Sequence, residues 1–171
     1  SYTQIKKSQI NELISKLSIY YNCNLEFLKE YHFYVNNKGK VHISKINLNE
    51  LEIDRVNSIG LYFGTYHDEN RFRLSLEGTK FIKPTKNFIL LNEKSLNTYL
   101  SGENLFKEEV EKIDFFDNCP FLIVQYENEN LGCMNIKDNM LLTYMSKTRK
   151  LDFNKLFWKL KIKKWITKKE K

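Results

Sequence analysis

Between residues 59 and 82 the hydrophobic period changes abruptly, and that change limits what the segment can become. IGLYFGTY and RFRLSL alternate apolar and polar residues, the period of a strand with one covered face, and the polar HDEN between them reads as a turn. At Ser75 the alternation stops. Leu76, Thr79, Phe81 and Ile82 follow at closer spacing, the Ser75 hydroxyl suits a helix N-cap, and Pro84 ends the helix. The expectation is an antiparallel hairpin that hands over directly to a helix. Arg71 and Arg73 then share one face of the second strand, with Phe72 and Leu74 on the other.

The flanking segments read in the same terms. In residues 4–20, Ile5, Ile10, Leu13, Ile14, Leu17 and Ile19 recur at roughly helical spacing, with Lys6, Lys7, Glu12 and Lys16 on the other face. Asn24 can cap a short helix in LEFLKE, and YHFYV-NNKG-KVHIS reads as a second hairpin. INLNELEIDRV suits a short helix and a connection. Beyond Pro84 the texture is strand-rich: NFILLN, NTYLS, FLIVQY, LGCMNI, MLLTYM and LFWKLKI alternate with polar or glycine-containing turns. Only ENLFKEEVEKI looks helical at its start. The chain is expected to be α+β, with an N-terminal α/β domain carrying an antiparallel sheet (1–84) and a small β-barrel or sandwich (85–171). With 42% hydrophobic residues and nothing resembling a linker, the two halves are expected to pack together.

Catalytic signatures are not found. There is no P-loop, GxGxxG, GxSxG or HExxH. The acidic run EEVEKID (108–114) reads as a solvated helix face, and Asp68 and Glu69 as turn residues. Cys23, Cys119 and Cys133 are odd in number and lack CxxC spacing, which favours a reducing compartment over disulfides or zinc. His32 and His42 fall in opposite arms of a hairpin, short of the three or four ligands a metal needs. Cys119 has no activating histidine nearby in sequence. The expectation is a non-enzyme without cofactor, metal or small-molecule substrate. No apolar run reaches the roughly 18–20 residues of a membrane helix, and SYTQIKKSQI does not read as a signal peptide.

Charge is more informative. The chain carries +7, yet residues 146–171 hold ten Lys and one Arg against Asp152 and Glu170, a balance of +9, while the other 145 residues balance at −2. Segregated positive charge suggests an anionic partner. In KLKIKKWI, Lys159, Lys161 and Lys163 alternate with Leu160 and Ile162, which puts three cations on one face of a strand able to track phosphates. Lysines also guard exposed strand edges, but the surplus exceeds that need. For Phe153, Phe157, Trp158 and Trp165 a place in the core is favoured over stacking on bases. The same segment can be drawn as a basic amphipathic helix for an anionic membrane, with Phe153, Leu156, Phe157 and Leu160 on one side; the KLKIK alternation favours the strand.

LYFGTYHDENRFRLSLEGTKFI, FILLNEKSLNTYLSGENLF, LGCMNI and RKLDF, in this order and spacing, resemble the Nip-seven family of large-subunit ribosome-biogenesis factors, over residues 59–171 and more loosely before them. The resemblance implies an N-terminal α/β domain joined to a C-terminal PUA domain, a small RNA-binding β-barrel. It also implies a non-catalytic role with precursor ribosomal RNA, in single-stranded or structured loops, and with other ribosome-assembly proteins. LLNEK looks closer to archaeal members, which implies a cytoplasmic rather than nucleolar setting. Position by position, Lys107 matches a lysine after the family's glycine, Arg149 and Lys150 a basic pair before the last strand, and Asp152 the acidic residue after them. Lys147 is counted with that pair. The final strand is more lysine-rich than in the family, and Phe153 stands at a family proline, so Lys159, Lys161 and Lys163 rest on charge alone. An RNA-binding specificity subunit acting in trans for an RNA-modifying enzyme is the alternative.

Overall fold

The computed structural model describes residues 1–48, 60–145, 158, 159, 163 and 166–170. Five strands form the first sheet, in the order β1 (Tyr2–Gln4), β2 (His32–Asn36), β3 (Lys40–Ser44), β4 (Leu61–Tyr66) and β5 (Phe72–Leu74). Every pair is antiparallel. Helix α1 (Lys7–Tyr21) covers one face of this sheet. Its Ile10, Leu13, Ile14, Leu17 and Tyr21 pack with Phe33, Val41, Ile43, Phe63, Phe72 and Leu74. Alternate strand residues point to opposite faces, so Lys40, His42, Tyr62 and Arg73 belong to the other side.

Both expected hairpins form. The Ser75 hydroxyl accepts a hydrogen bond from the Gly78 amide at 2.9 Å and opens α2 (Leu76–Thr79). That helix is one turn long and ends before Pro84, because Lys80, Phe81 and Ile82 donate their amides in successive tight turns to Glu77, Gly78 and Thr79. Asn24 caps the following segment as expected, its Oδ1 accepting from the Glu26 amide, but that segment is a 3-10 helix (Glu26–Glu30). Two N-terminal details differ from expectation. The helix starts at Lys7 because residues 2–4 are taken by pairing with β2. Ile19 is 67% exposed, off the buried stripe. Most of INLNELEIDRV lies outside the described residues.

The second sheet, a curled half-barrel, has the order β7-β11-β10-β9-β6-β8. Its strands are β6 (Phe88–Leu90), β7 (Leu105–Phe106), β8 (Lys112–Asp114), β9 (Leu122–Tyr126), β10 (Glu129–Lys137) and β11 (Met140–Thr143). The pair β6–β9 is parallel and the others antiparallel. Six strands were expected, but not these six. NTYLS belongs to α3 (Glu93–Leu100), nucleated by a capping box in which the Asn92 Oδ1 accepts from the Ser95 amide and the Ser95 hydroxyl from the Asn92 amide. ENLFKEEVEKI supplies β7, one 3-10 turn (Lys107–Glu109) and β8, in place of a helix. Among the described residues of the basic C-terminus, Trp158, Lys159, Lys163 and 166–169 are helical, which corrects the strand assigned to LFWKLKI. Lys and Leu favour helix, and no strand of the half-barrel offers this segment a described partner.

The two sheets share a core. Cys119, Phe121, Ile123 and Cys133 pack into the α1 cluster, while Ile89, Leu96, Leu122, Val124, Met134 and Leu141 centre a second cluster under α3. Buried polar bonds fix the join. The Tyr21 hydroxyl donates to the Phe121 carbonyl at 2.7 Å, and the fully buried Asn87 donates to the Tyr20 carbonyl and accepts from the Phe116 amide. From β10, the Asn130 amide donates to the carbonyls of Thr79 at 2.6 Å and Ile82 at 2.5 Å. At Gly78 a Cβ would stand 2.0 Å from the Phe63 carbonyl oxygen, so only glycine lets α2 lie against β4.

Two substitutions test this join by urea denaturation. Gly78→Ala is expected to cost about 3 kcal/mol, through overpacking of backbone against backbone. Asn130→Leu removes the side-chain bond to the buried Ile82 carbonyl and leaves the Thr79 carbonyl with the Ile82 amide alone, and is expected to cost about 1–3 kcal/mol. An unchanged midpoint for either variant contradicts the packing described.

Candidate nucleic-acid interface

On the side of the first sheet opposite α1, the two halves of the molecule enclose a cleft of about 260 Å3. Lys40, Tyr62 and Arg73 reach it from β3, β4 and β5, and Tyr99, Gly132 and Tyr144 from the half-barrel side. Arg73 is brought here by the strand period: Phe72 and Leu74 are buried on the α1 side, so the residue between them faces the cleft. Its guanidinium carbon lies 4.5 Å from the centre of the Tyr144 ring, and its Nε donates to His67 Nε2 at 3.1 Å. His67, Phe121 and Tyr144 form a ring cluster with centroids 5.1–5.8 Å apart. A guanidinium stacks readily on flat rings, and the contacts to Tyr144 and His67 hold that of Arg73 in the cleft. Lys40 Nζ sits 5.7 Å from the centre of the Tyr62 ring.

Electrostatics separates this cleft from the other side of the sheet. Among the described residues lining it there is no carboxylate. The groove beside α1 includes Glu12 and Glu69 with Lys16. Burial lowers the affinity of His67 for a proton, and the adjacent Arg73 and Arg71 lower it further against an opposing effect of Asp68. A neutral imidazole is what the acceptor role toward Arg73 requires. Arg71, by contrast, is tied into the HDEN turn, its Nε donating to Asp68 Oδ2 at 2.7 Å. The two arginines of RFRL therefore have different tasks.

The thiols near the cleft are not prepared for chemistry. Burial raises the Cys133 thiol to about 12 and the Cys119 thiol to about 11, so both stay protonated at neutral pH. The acidic run has structural work: Glu109 accepts from the Phe106 amide, Glu108 from the Asn139 side chain, and Asp114 from the Asn87 amide. His32 is held by Gln4, and His42 lies opposite Tyr34 in the ladder.

The sequence-selected cations are placed unevenly. Lys107 is half-buried in the turn after β7, next to Glu108 and Glu109. Lys159 and Lys163 are exposed and helical, one turn apart, where alternation on a strand was expected. Lys163 pairs with Glu129 at the start of β10 at 3.0 Å. Trp158, assigned to the core from sequence, is 63% exposed. Lys147, Arg149, Lys150 and Lys161 lie outside the described residues. Lys40, Tyr62 and Tyr144 were not singled out in the sequence. The signal of Lys40 and Tyr62 is the alternate face of KVHIS and LYFGTY, where Lys, His and Tyr stand in place of the apolar residues of the covered face; Tyr144, just past β11, carries none.

His42 is buried, unlike the exposed His67, and burial, with a smaller contribution from Lys40, lowers its affinity for a proton. Both histidines hold protons less tightly folded than unfolded, so the unfolded chain gains protons as pH drops below the ordinary value of about 6.5. Thermal stability is expected to be constant above that pH and to fall below it. His67→Gln with His42→Phe should flatten the fall between about pH 6.5 and 5. An equal fall in the double variant contradicts the assignment.

No family model matches the chain, and no curated protein matches it. Among solved structures it is similar to a conserved PUA domain protein from Thermoplasma acidophilum, with a TM-score of 0.57 and 13% identity over 89% of this chain and 85% of that one. The likeness extends across both sheets. The chain has a PUA-like fold: an N-terminal α/β unit with an antiparallel sheet, followed by a curled half-barrel.

Proposed function

We propose that this chain is a non-catalytic RNA-binding protein, and that it acts in assembly of the large ribosomal subunit and processing of its precursor RNA. The observation that carries the first part is the cleft, where the Arg73 guanidinium stacks on Tyr144 beside Lys40 and Tyr62 with no carboxylate among the described lining residues. Bases splayed from a single strand or loop stack on arginine and tyrosine planes, and lysines on the rim neutralise phosphates. The PUA-like fold supports the same reading, since the neighbouring structure is described as a PUA domain protein. The assembly role is supported by the resemblance of LYFGTYHDENRFRLSLEGTKFI and the segments after it to the Nip-seven family. Binding here is positional: it neutralises charge, displaces counterions and orients RNA, with no bond made or broken. Lys147, Arg149 and Lys150 follow Met145, itself a lining residue, by two, four and five positions, so their charge is carried in sequence next to the cleft.

A second reading rests on the C-terminus. Trp158 and Ile166 are exposed on helical residues among lysines, as in a helix lying on an anionic membrane. Flotation with phosphatidylserine vesicles separates the two.

Filter binding of precursor ribosomal RNA fragments at several salt concentrations tests the proposal. Affinity is expected to fall as salt rises. Arg73→Ala is expected to lose about 1–3 kcal/mol, the value of one stacked base. Arg149→Ala/Lys150→Ala should lose affinity and reduce the salt slope by about 1–2, because it removes phosphate contacts. Salt-independent binding, or no binding, overturns the proposal.

A further inference from the structure

Beyond the cleft, the outer face of the first sheet continues past Lys40 and Tyr62 to a second hollow of about 270 Å3. Tyr2, His42 and the turn of Asn36, Asn37 and Lys38 line it, together with the same Lys40 and Tyr62. The ring of His42 lies parallel to Tyr62 at 5.5 Å and meets the edge of Tyr2 at 5.1 Å. His42 is 7% exposed, and among the described residues its Nδ1 has no hydrogen-bond partner. A buried ring nitrogen left unpaired is a cost that a hydrogen-bonding ligand removes.

The rim is built. Asn36 Oδ1 accepts from the amides of both Lys38 and Lys40, at 3.0 and 2.9 Å, which fixes the backbone from which the two lysines project. Gly39, at φ 77°, closes the turn where a Cβ would stand 2.7 Å from the Tyr66 carbonyl oxygen. Neither hollow includes a carboxylate among its described lining residues, and Tyr62 and Lys40 belong to both.

We propose that the outer face of the first sheet is a track for single-stranded RNA, running from the Arg73–Tyr144 cleft across Tyr62 and Lys40 into the hollow at His42 and Tyr2. The inference rests on the RNA-binding reading above and adds to it a second subsite, in the N-terminal unit, and a preference for unpaired bases. Alternating ring planes and fixed cations fit a strand whose bases are splayed and whose phosphates follow the lysines. A duplex hides its base faces and gains little from rings recessed in a hollow. His42, neutral and stacked, offers a polar edge to a base at the far end of the track.

The test uses the full chain, a twelve-nucleotide oligouridylate and a duplex of the same length. Short-wave ultraviolet crosslinking of the oligouridylate, mapped by mass spectrometry, is expected to mark Tyr2 or His42, which line the hollow and not the cleft. Lys38→Ala, at an exposed position that lines the hollow and not the cleft, should weaken oligouridylate binding about twofold and reduce the salt slope by about 0.7, the value for one single-strand phosphate. The wild type should bind the duplex more weakly than the single strand. If Arg73→Ala weakens oligouridylate binding while Lys38→Ala binds as wild type and crosslinks avoid Tyr2 and His42, the track is overturned and RNA binding at the cleft stands. Duplex bound as tightly as single strand also overturns it. No binding of RNA by the wild type overturns both.

Discussion

The side chain of Asn130 is the contact on which the rest of the arrangement depends. It projects from β10 into the one-turn helix after RFRL, donates to the carbonyls of Thr79 and Ile82, and accepts from Gln125 at 2.9 Å. Buried carbonyls must be paired, and a short helix between two sheets has few other donors in reach. By satisfying them from the second sheet, Asn130 fastens that sheet to the end of the Arg73 hairpin. The Gly132 amide adds a bond to the Thr79 hydroxyl at 3.3 Å, and the Tyr99 hydroxyl donates to the Leu131 carbonyl at 2.5 Å. Residues 130–133 thus act as one clamp. The cleft is the space left beside it.

That origin explains why the cleft holds both cations and rings. The buried side of the first sheet takes the aliphatic and phenylalanine residues, because α1 covers it. The opposite side is left to residues that tolerate water, and in this sequence they are Lys, His, Tyr and Arg. When β11 brings Tyr144 alongside Arg73, the guanidinium gains a stacking partner and His67 an acceptor role at once. The C-terminal lysines would contribute differently to the proposed RNA binding. Lys159, Lys163, Lys168 and Lys169, exposed and helical, would supply long-range attraction that salt screens, whereas the cleft would supply short-range stacking that salt does not screen. The Lys163–Glu129 pair is exposed and worth about 1 kcal/mol at most, a light tether rather than a lock.

Much of the first unit was legible because its signals are local. The Ser75 cap, the NNKG turn and the alternation of IGLYFGTY and RFRLSL each fix a short piece of backbone within a few residues, and all three appear where expected. The half-barrel was legible in strand-rich character and not in membership. NTYLS alternates well enough for a strand, yet Asn92 and Ser95 upstream commit it to α3. The parallel β6–β9 pair depends on contacts more than thirty residues apart, which no period reveals. KLKIK misled because five residues of alternation have the period of a strand but are too few to fix one, and the described residues Lys159 and Lys163 take the helix. Of the cleft, Arg73 was visible as a cation on an alternating strand, but the charge balance drew the RNA assignment away from it to the C-terminal cations. Tyr144 and Lys40 were not, because their importance comes only from the clamp that brings distant segments together.

The most direct measurement of the central claim is amide chemical-shift mapping of the intact chain titrated with a single-stranded ribosomal RNA fragment. Shifts are expected to concentrate at Arg73–Leu76, Leu131–Cys133 and Tyr144, with the α1 side of the sheet unmoved. Shifts confined to the C-terminal lysines, or centred on the α1 groove, would contradict it.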